Sequence, residues 1–113
     1  MGYAMSGSDP SVRRNDGGGS IDDDDCPGQP FETVLASPNP HVVPQLDIDQ
    51  LLDIVSVEEP ARGVIAQTLD GDYVGAIVRD IVRLRRCIAA GHTYEADVVR
   101  IAGGSVTVLV RPT

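Results

Sequence analysis

Four arginines lie close together in the second half of the chain, at positions 79, 83, 85 and 86. Arg79, Arg83 and Arg86 follow the i, i+4, i+7 spacing that brings side chains to one side of an α-helix. A row of guanidinium groups can bridge successive phosphates of a nucleic acid or bind the carboxylates of a partner protein. The alternative is an ordinary solvated helix face in which Asp80 pairs with Arg83. We take these three arginines as the candidate binding residues.

The sequence offers no arrangement of residues for acid-base or nucleophilic catalysis. The two histidines, His41 and His92, lie in unrelated segments, and a charge on His92 suits the end of a preceding helix. No Walker loop, HExxH, CxxC or GxGxxG motif occurs. We therefore expect a protein that is not an enzyme and that has no cofactor.

Neither the acidic block nor the cysteines predict a metal centre. Asp22–Asp25 are consecutive and lack the alternate spacing and glycine turn of a calcium loop. Cys26 and Cys87 are too few and too far apart for a disulfide framework or a structural zinc site. We interpret Cys87, which falls within a predicted helix, as a small buried or half-buried hydrophobic residue.

The charge of the chain is strongly negative but unevenly distributed. Seventeen acidic residues stand against nine arginines and no lysine, which gives a net charge of −8 and a pI of about 4.4. This balance argues against a protein that binds nucleic acid over its whole surface, because phosphates would be repelled. Residues 1–60 hold 12 of the acids and two arginines, whereas residues 61–113 hold five acids and seven arginines. Most of the acidity therefore belongs to the N-terminal half.

The first 30 residues are rich in Gly, Ser, Asp and Pro and have almost no apolar side chains to bury. Such a segment cannot offset the entropy lost on ordering, so residues 1–30 are predicted to be a disordered acidic arm. Residues 31–113 are predicted to form a single small domain. No stretch resembles a signal peptide or approaches the roughly 20 apolar residues that span a bilayer. We therefore expect a cytoplasmic, soluble protein with no membrane association.

Apolar periodicity predicts one helix, from about Asp80 to Ala90. Its apolar face comprises Ile77, Ile81, Leu84 and Ile88. Gly91 stands where a left-handed residue ends many helices.

The other periodic segments alternate as strands do. They are Thr33–Ala36, Leu52–Val57, Gly63–Thr68, Tyr73–Val78 and a final hairpin that turns at Gly103 and Gly104. Gly75, in the middle of a strand, indicates a bulge or a close backbone approach. The fold class is therefore α+β, with one helix and a small curled antiparallel sheet or barrel of about five strands.

Two tyrosines have two interpretations. Tyr73 and Tyr94 could stack on nucleic-acid bases, as aromatic residues do in proteins that bind single strands. Aromatic residues on strands more often pack into the core, and we favour that interpretation for both.

A group of short motifs resembles the HIRAN domain family over about residues 46–101. The matching residues are Gly71, Gly75, Ile77, Gly91, Tyr94, Ala96 and Val98. The resemblance implies a small β-barrel, related in shape to OB-folds, that binds DNA ends. Two features differ: a family stretch between the early strands is reduced to residues 58–62 here, and the aromatic segment at the start of the domain is missing.

Together these features predict a small binding module without enzymatic activity. Its ligand would be DNA, as an end or a single strand, bound through Arg79, Arg83 and Arg86. The alternative is a protein-interaction adaptor or an immunity-type protein with no nucleic-acid role. The sequence identifies no particular partner.

Overall fold

The computed structural model describes residues 26–59 and 61–113, which form six strands and one α-helix. These elements are β1 (Phe31–Val34), β2 (Leu51–Val57), β3 (Gly63–Gln67), β4 (Tyr73–Ile77), α1 (Ile81–Ala89), β5 (Tyr94–Ala102) and β6 (Ser105–Pro112). A single 3₁₀ turn, Val43–Gln45, lies between β1 and β2. Of the arm predicted for residues 1–30, residues 1–25 lie outside the described residues.

The strands form one curled antiparallel sheet, a half-barrel, in the order β1-β6-β5-β2-β3-β4. The chain just after β1 reaches the far end of this order, where Ala36 and Ala76 exchange two backbone hydrogen bonds of 2.8 Å. The α+β class with one helix is confirmed, with six strands instead of about five.

The last hairpin follows the predicted alternation. Tyr94, Ala96 and Val98 of β5 are buried, as are Val106, Val108 and Val110 of β6. Glu95 and Asp97 lie between them on the outer face, where they are partly exposed. The inner face of this hairpin therefore supplies much of the hydrophobic core.

The helix covers the core with Leu84 and Cys87, both fully buried. It begins at Ile81 because Asp80 has a left-handed backbone (φ 57°), and no side-chain hydrogen bond from Asp80 caps the helix. At the other end Gly91 has φ 104°, as the sequence predicts. The helix is thus confirmed, shortened by one residue at each end. Among the described residues, no helix is long and apolar enough to cross a membrane.

Gly75 marks a close approach between β4 and the chain after β1. A Cβ atom added at Gly75 would lie 2.7 Å from Cβ of Leu35 and 3.3 Å from the carbonyl oxygen of Ala36. The pairing of β3 with β4 also shifts register next to this position, between Ala66 and Gln67. The prediction of a bulge or close approach is confirmed.

A cross-strand ion pair lies on the outer face of the hairpin. Arg111 of β6 pairs with Glu95 of β5 in the sheet register. Its Nε lies 2.8 Å from Oδ2 of Asp97, and its Nη1 lies 3.1 Å from Oε1 of Glu95. The hydrogen bond from Arg111 lowers the pKa of Asp97 below its ordinary value, and partial burial opposes that shift.

We expect the stability gained from this pair to depend on pH. Because the pKa of Asp97 is lower in the folded chain than in the unfolded chain, the stabilisation is complete above about pH 4 and is lost at lower pH. Arg111→Gln should lower the thermal midpoint slightly at pH 7 and have a much smaller effect near pH 2. Arg100→Gln on the same hairpin is the control. An Arg111→Gln effect that is equal at both pH values would contradict this assignment.

Candidate functional site

The three candidate arginines do not form one helical row. Arg79 precedes α1, because the left-handed conformation of Asp80 separates it from the first helical turn. Arg83 and Arg86 lie on α1, three residues apart. The helical spacing therefore describes Arg83 and Arg86, and the prediction is wrong in placing Arg79 on the helix.

Phe31, the only phenylalanine in the chain, brings Arg79 and Arg83 together. The Cζ atoms of Arg79 and Arg83 lie 5.6 and 5.8 Å from the centroid of its ring, within cation-π distance. Phe31 is itself fixed at the start of β1, where it pairs with Val110 of β6. The sheet thus positions an aromatic ring that orients two guanidinium groups.

Each of these guanidinium groups also has a polar contact. Arg79 donates from Nη1 to the carbonyl oxygen of Glu32 at 2.9 Å. Arg83 Nη2 lies 3.5 Å from Oδ2 of Asp80, so the pair predicted as the alternative to ligand binding is present. The side chain of Arg83 is 23% exposed, and Arg79 is exposed.

A cleft of about 470 Å³ opens beside the two arginines. Its lining residues are Gly28, Gln29, Pro30, Phe31, Arg79, Asp80 and Arg83. Arg86 lies one turn further along α1, is exposed, and is not part of this lining. The structure therefore joins two of the three predicted residues in one cleft and places the third beside it.

A disulfide holds the wall of the cleft in place. Cys26 is bonded to Cys87 of α1 across a sequence separation of 61 residues. The hydroxyl of Tyr94 also donates to the carbonyl oxygen of Pro27, at 2.5 Å. The predicted burial of Cys87 is confirmed. The sequence does not predict its bond to Cys26, because two cysteines so far apart carry no local signal of pairing.

The two tyrosines differ in their surroundings. Tyr94 is 4% exposed and belongs to the core, which confirms the core interpretation for that residue. Burial raises its pKa, and the nearby charge of Arg83 acts in the opposite direction. Tyr73 is only partly buried and donates its hydroxyl to the carbonyl oxygen of Ser37 at 2.8 Å.

Arg85, the fourth arginine of the group, has a structural role. Its Nη1 lies 3.0 Å from Oγ of Ser56, 3.1 Å from the carbonyl oxygen of Val57 and 3.0 Å from that of Gly63. Its Nη2 contacts the carboxylate of Glu58 at 3.1 Å. Arg85 therefore ties α1 to the connection between β2 and β3.

We expect Arg85→Met to lower the free energy of unfolding by about 1–3 kcal/mol, because it leaves the carbonyl groups of Val57 and Gly63 without this donor. Urea denaturation monitored by circular dichroism measures the loss. The control is Arg62→Met, because Arg62 also contacts Glu58 but its side chain is 79% exposed. Equal losses in the two variants would show that Arg85 does not brace the connection.

A second cleft, of about 460 Å³, lies on the outer face of the half-barrel. Its lining residues are Ser37, Val57, Glu59, Ala61, Arg62, Ile65, Tyr73 and Ala76. Partly buried Val55, Ile65 and Ala76 form a continuous apolar row across β2, β3 and β4 in the sheet register. This surface suits an apolar contact better than a phosphate.

The edge of β4 is covered by the chain after β1. Ala36 pairs with Ala76, and Asn39 donates from its backbone nitrogen to the carbonyl oxygen of Val74 at 2.8 Å. The side-chain amide of Asn39 donates to the carbonyl oxygen of Tyr73 at 3.0 Å. Addition of a partner strand at this edge would have to displace those bonds.

The described residues contain no group of three or more His, Cys, Asp or Glu side chains that could hold a metal ion. What they offer chemically is a pair of oriented guanidinium groups, from Arg79 and Arg83, beside an open cleft, with Arg86 on the same helix as Arg83. Comparison with known proteins adds no assignment: no protein-family model, no curated protein and no solved structure matches this chain.

Proposed function

We propose that this chain is a binding module without enzymatic activity, and that it takes a single strand or an end of DNA at Arg79, Arg83 and Arg86. The observation that carries the proposal is the convergence of Arg79 and Arg83 on Phe31 at the rim of a cleft. The resemblance to the HIRAN family favours the same class of ligand.

The physical argument depends on preorganisation. A guanidinium group has five N–H donors, and the bond from Arg79 to Glu32 uses one of them. Contact with Phe31 restricts both arginine side chains before a ligand arrives, which reduces the entropy that binding would cost. A phosphate at the cleft would gain charge-assisted hydrogen bonds from side chains that are already in place.

Fluorescence anisotropy of labelled single-stranded DNA and of a short duplex tests the proposal with the full chain. If three arginines neutralise phosphates, affinity for the single strand should fall about 20-fold between 50 and 200 mM salt. The triple variant R79Q/R83Q/R86Q should lose this binding. A closed circular duplex distinguishes recognition of ends from binding along the strand.

The control is R62Q/R100Q, which removes two exposed arginines elsewhere on the surface and should leave most of the affinity. Thermal midpoints establish that each variant remains folded. If neither the wild-type chain nor a variant with fewer acidic residues binds DNA at 50 mM salt, the nucleic-acid proposal is wrong.

A second candidate is supported by the outer-face cleft. Two of its lining residues, Ile65 and Ala76, continue the apolar row that begins at Val55. This surface fits a protein partner, as expected for an interaction adaptor or an immunity-type protein. Such a contact would change little with salt, in contrast to binding through phosphates. Ile65→Asp should abolish it and leave DNA binding intact.

A further inference from the structure

We propose that Asp22–Asp25 are an intramolecular ligand of the arginine surface formed by Arg79, Arg83 and Arg86, and that they compete there with nucleic acid. The competition rests on the proposed function, and it would regulate the binding of DNA at that surface. The contact itself is a separate claim and has its own test.

Covalent connectivity places the two groups within reach of each other. The Cα atoms of Cys26 and Cys87 are 5.5 Å apart. Arg86 is the residue before Cys87. Arg83 lies about one helical turn before Cys87, about 6 Å from it along the helix. The four aspartates immediately precede Cys26 in the sequence. Because an extended chain spans at most about 3.6 Å per residue, all four stay within roughly 14 Å of Cys26 in any conformation.

The charges of the two groups are complementary. The acidic block carries four consecutive carboxylates, and the surface carries three arginines. Carboxylates and phosphates are both bound by guanidinium groups through paired, charge-assisted hydrogen bonds. Asp80, 3.5 Å from Arg83, already provides one carboxylate contact at this surface. A run of aspartates therefore offers what a strand of phosphates offers, one negative charge after another.

The disulfide makes this competition effective. A ligand tethered by a few residues acts at a local concentration in the millimolar range, and a free ligand has to compete with it. Without the bond to Cys87, the segment next to the acidic block would be held by the hydrogen bond from Tyr94 to Pro27 and by the backbone that leads to β1. The disulfide therefore ties the residue next to the acidic block directly to the helix that carries Arg83 and Arg86.

The first test compares DNA binding by the full chain and by D22N/D23N/D24N/D25N. The variant should bind single-stranded DNA about tenfold more tightly or better at 50 mM salt, and the gain should shrink at 200 mM salt. The control D47N/D49N/D70N/D72N removes the same charge from exposed positions elsewhere. An equal gain in DNA affinity in both variants would mean that the gain comes from the change in net charge alone, and it would overturn the proposal.

The second test needs no DNA. Thermal midpoints at low salt are measured for D22N/D23N/D24N/D25N, for R79Q/R83Q/R86Q and for the combined variant. If the two groups touch, the combined shift is smaller than the sum of the separate shifts. Additive shifts would overturn the contact, whether or not DNA binds. Non-additive shifts in a chain whose variants never bind DNA would uphold the contact and refute the nucleic-acid function.

Discussion

Removal of the Cys26–Cys87 disulfide is expected to lower the free energy of unfolding by about 4 kcal/mol. The bond closes a loop across 61 residues. In the chain-entropy model, opening a loop of that length increases the conformational entropy of the unfolded chain, which lowers the free energy of unfolding by about this amount. The variant that tests it is Cys26→Ser with Cys87→Ala, because Cys87 is fully buried and a serine there would add a buried hydroxyl.

Urea denaturation of this variant and of the wild-type chain, with and without a dithiol reductant, measures the effect. The reductant should destabilise the wild-type chain and leave the variant unchanged. If the variant is as stable as the oxidised wild-type chain, the bond contributes nothing to the fold. Disulfides persist mainly in oxidising compartments, so the stability of this domain would depend on where it resides. The cytoplasmic location stays a prediction.

Replacement of Gly75 by alanine is the second change with a large expected effect, a loss of about 3 kcal/mol. The new Cβ would lie 2.7 Å from Cβ of Leu35, closer than two such atoms come. Neither atom can move alone, because both are attached to backbone that is hydrogen-bonded through Ala36 and Ala76. The chain after β1 must therefore shift away from β4.

Gly63→Ala is the matched control for this prediction. Gly63 is also a strand residue, but an added Cβ there would meet no atom within 4 Å. Its stability should change by less than 1 kcal/mol in the same urea titration. A Gly75→Ala variant as stable as Gly63→Ala would mean that the two segments are not in close contact.

The features that could be predicted from the sequence depend on neighbouring residues. The alternation of Val106, Val108 and Val110 and the face of Leu84 and Ile88 arise within single elements, so their spacing reveals them. Gly75 also has a local signal, because glycine in a strand is unusual without a close neighbour.

The features that could not be predicted depend on residues far apart in the chain. Nothing near Cys26 indicates that it meets Cys87. Phe31 gains its role only when β1 pairs with β6 and faces Arg79 and Arg83. The displacement of Arg79 from the helix depends on one backbone angle at Asp80, and the helical spacing carries no information about that angle.

The pairing of β1 with β6 has a consequence for synthesis of the protein. Phe31 faces Val110, so this neighbour of β1 is translated only near the end of the described domain. On the ribosome, β2, β3 and β4 can pair as they emerge, whereas β1 must wait until β6 has left the exit tunnel. Contacts this distant in sequence also form slowly. The half-barrel is therefore completed only once β6 has emerged, and β1 is the strand that a chaperone would find unpaired for longest.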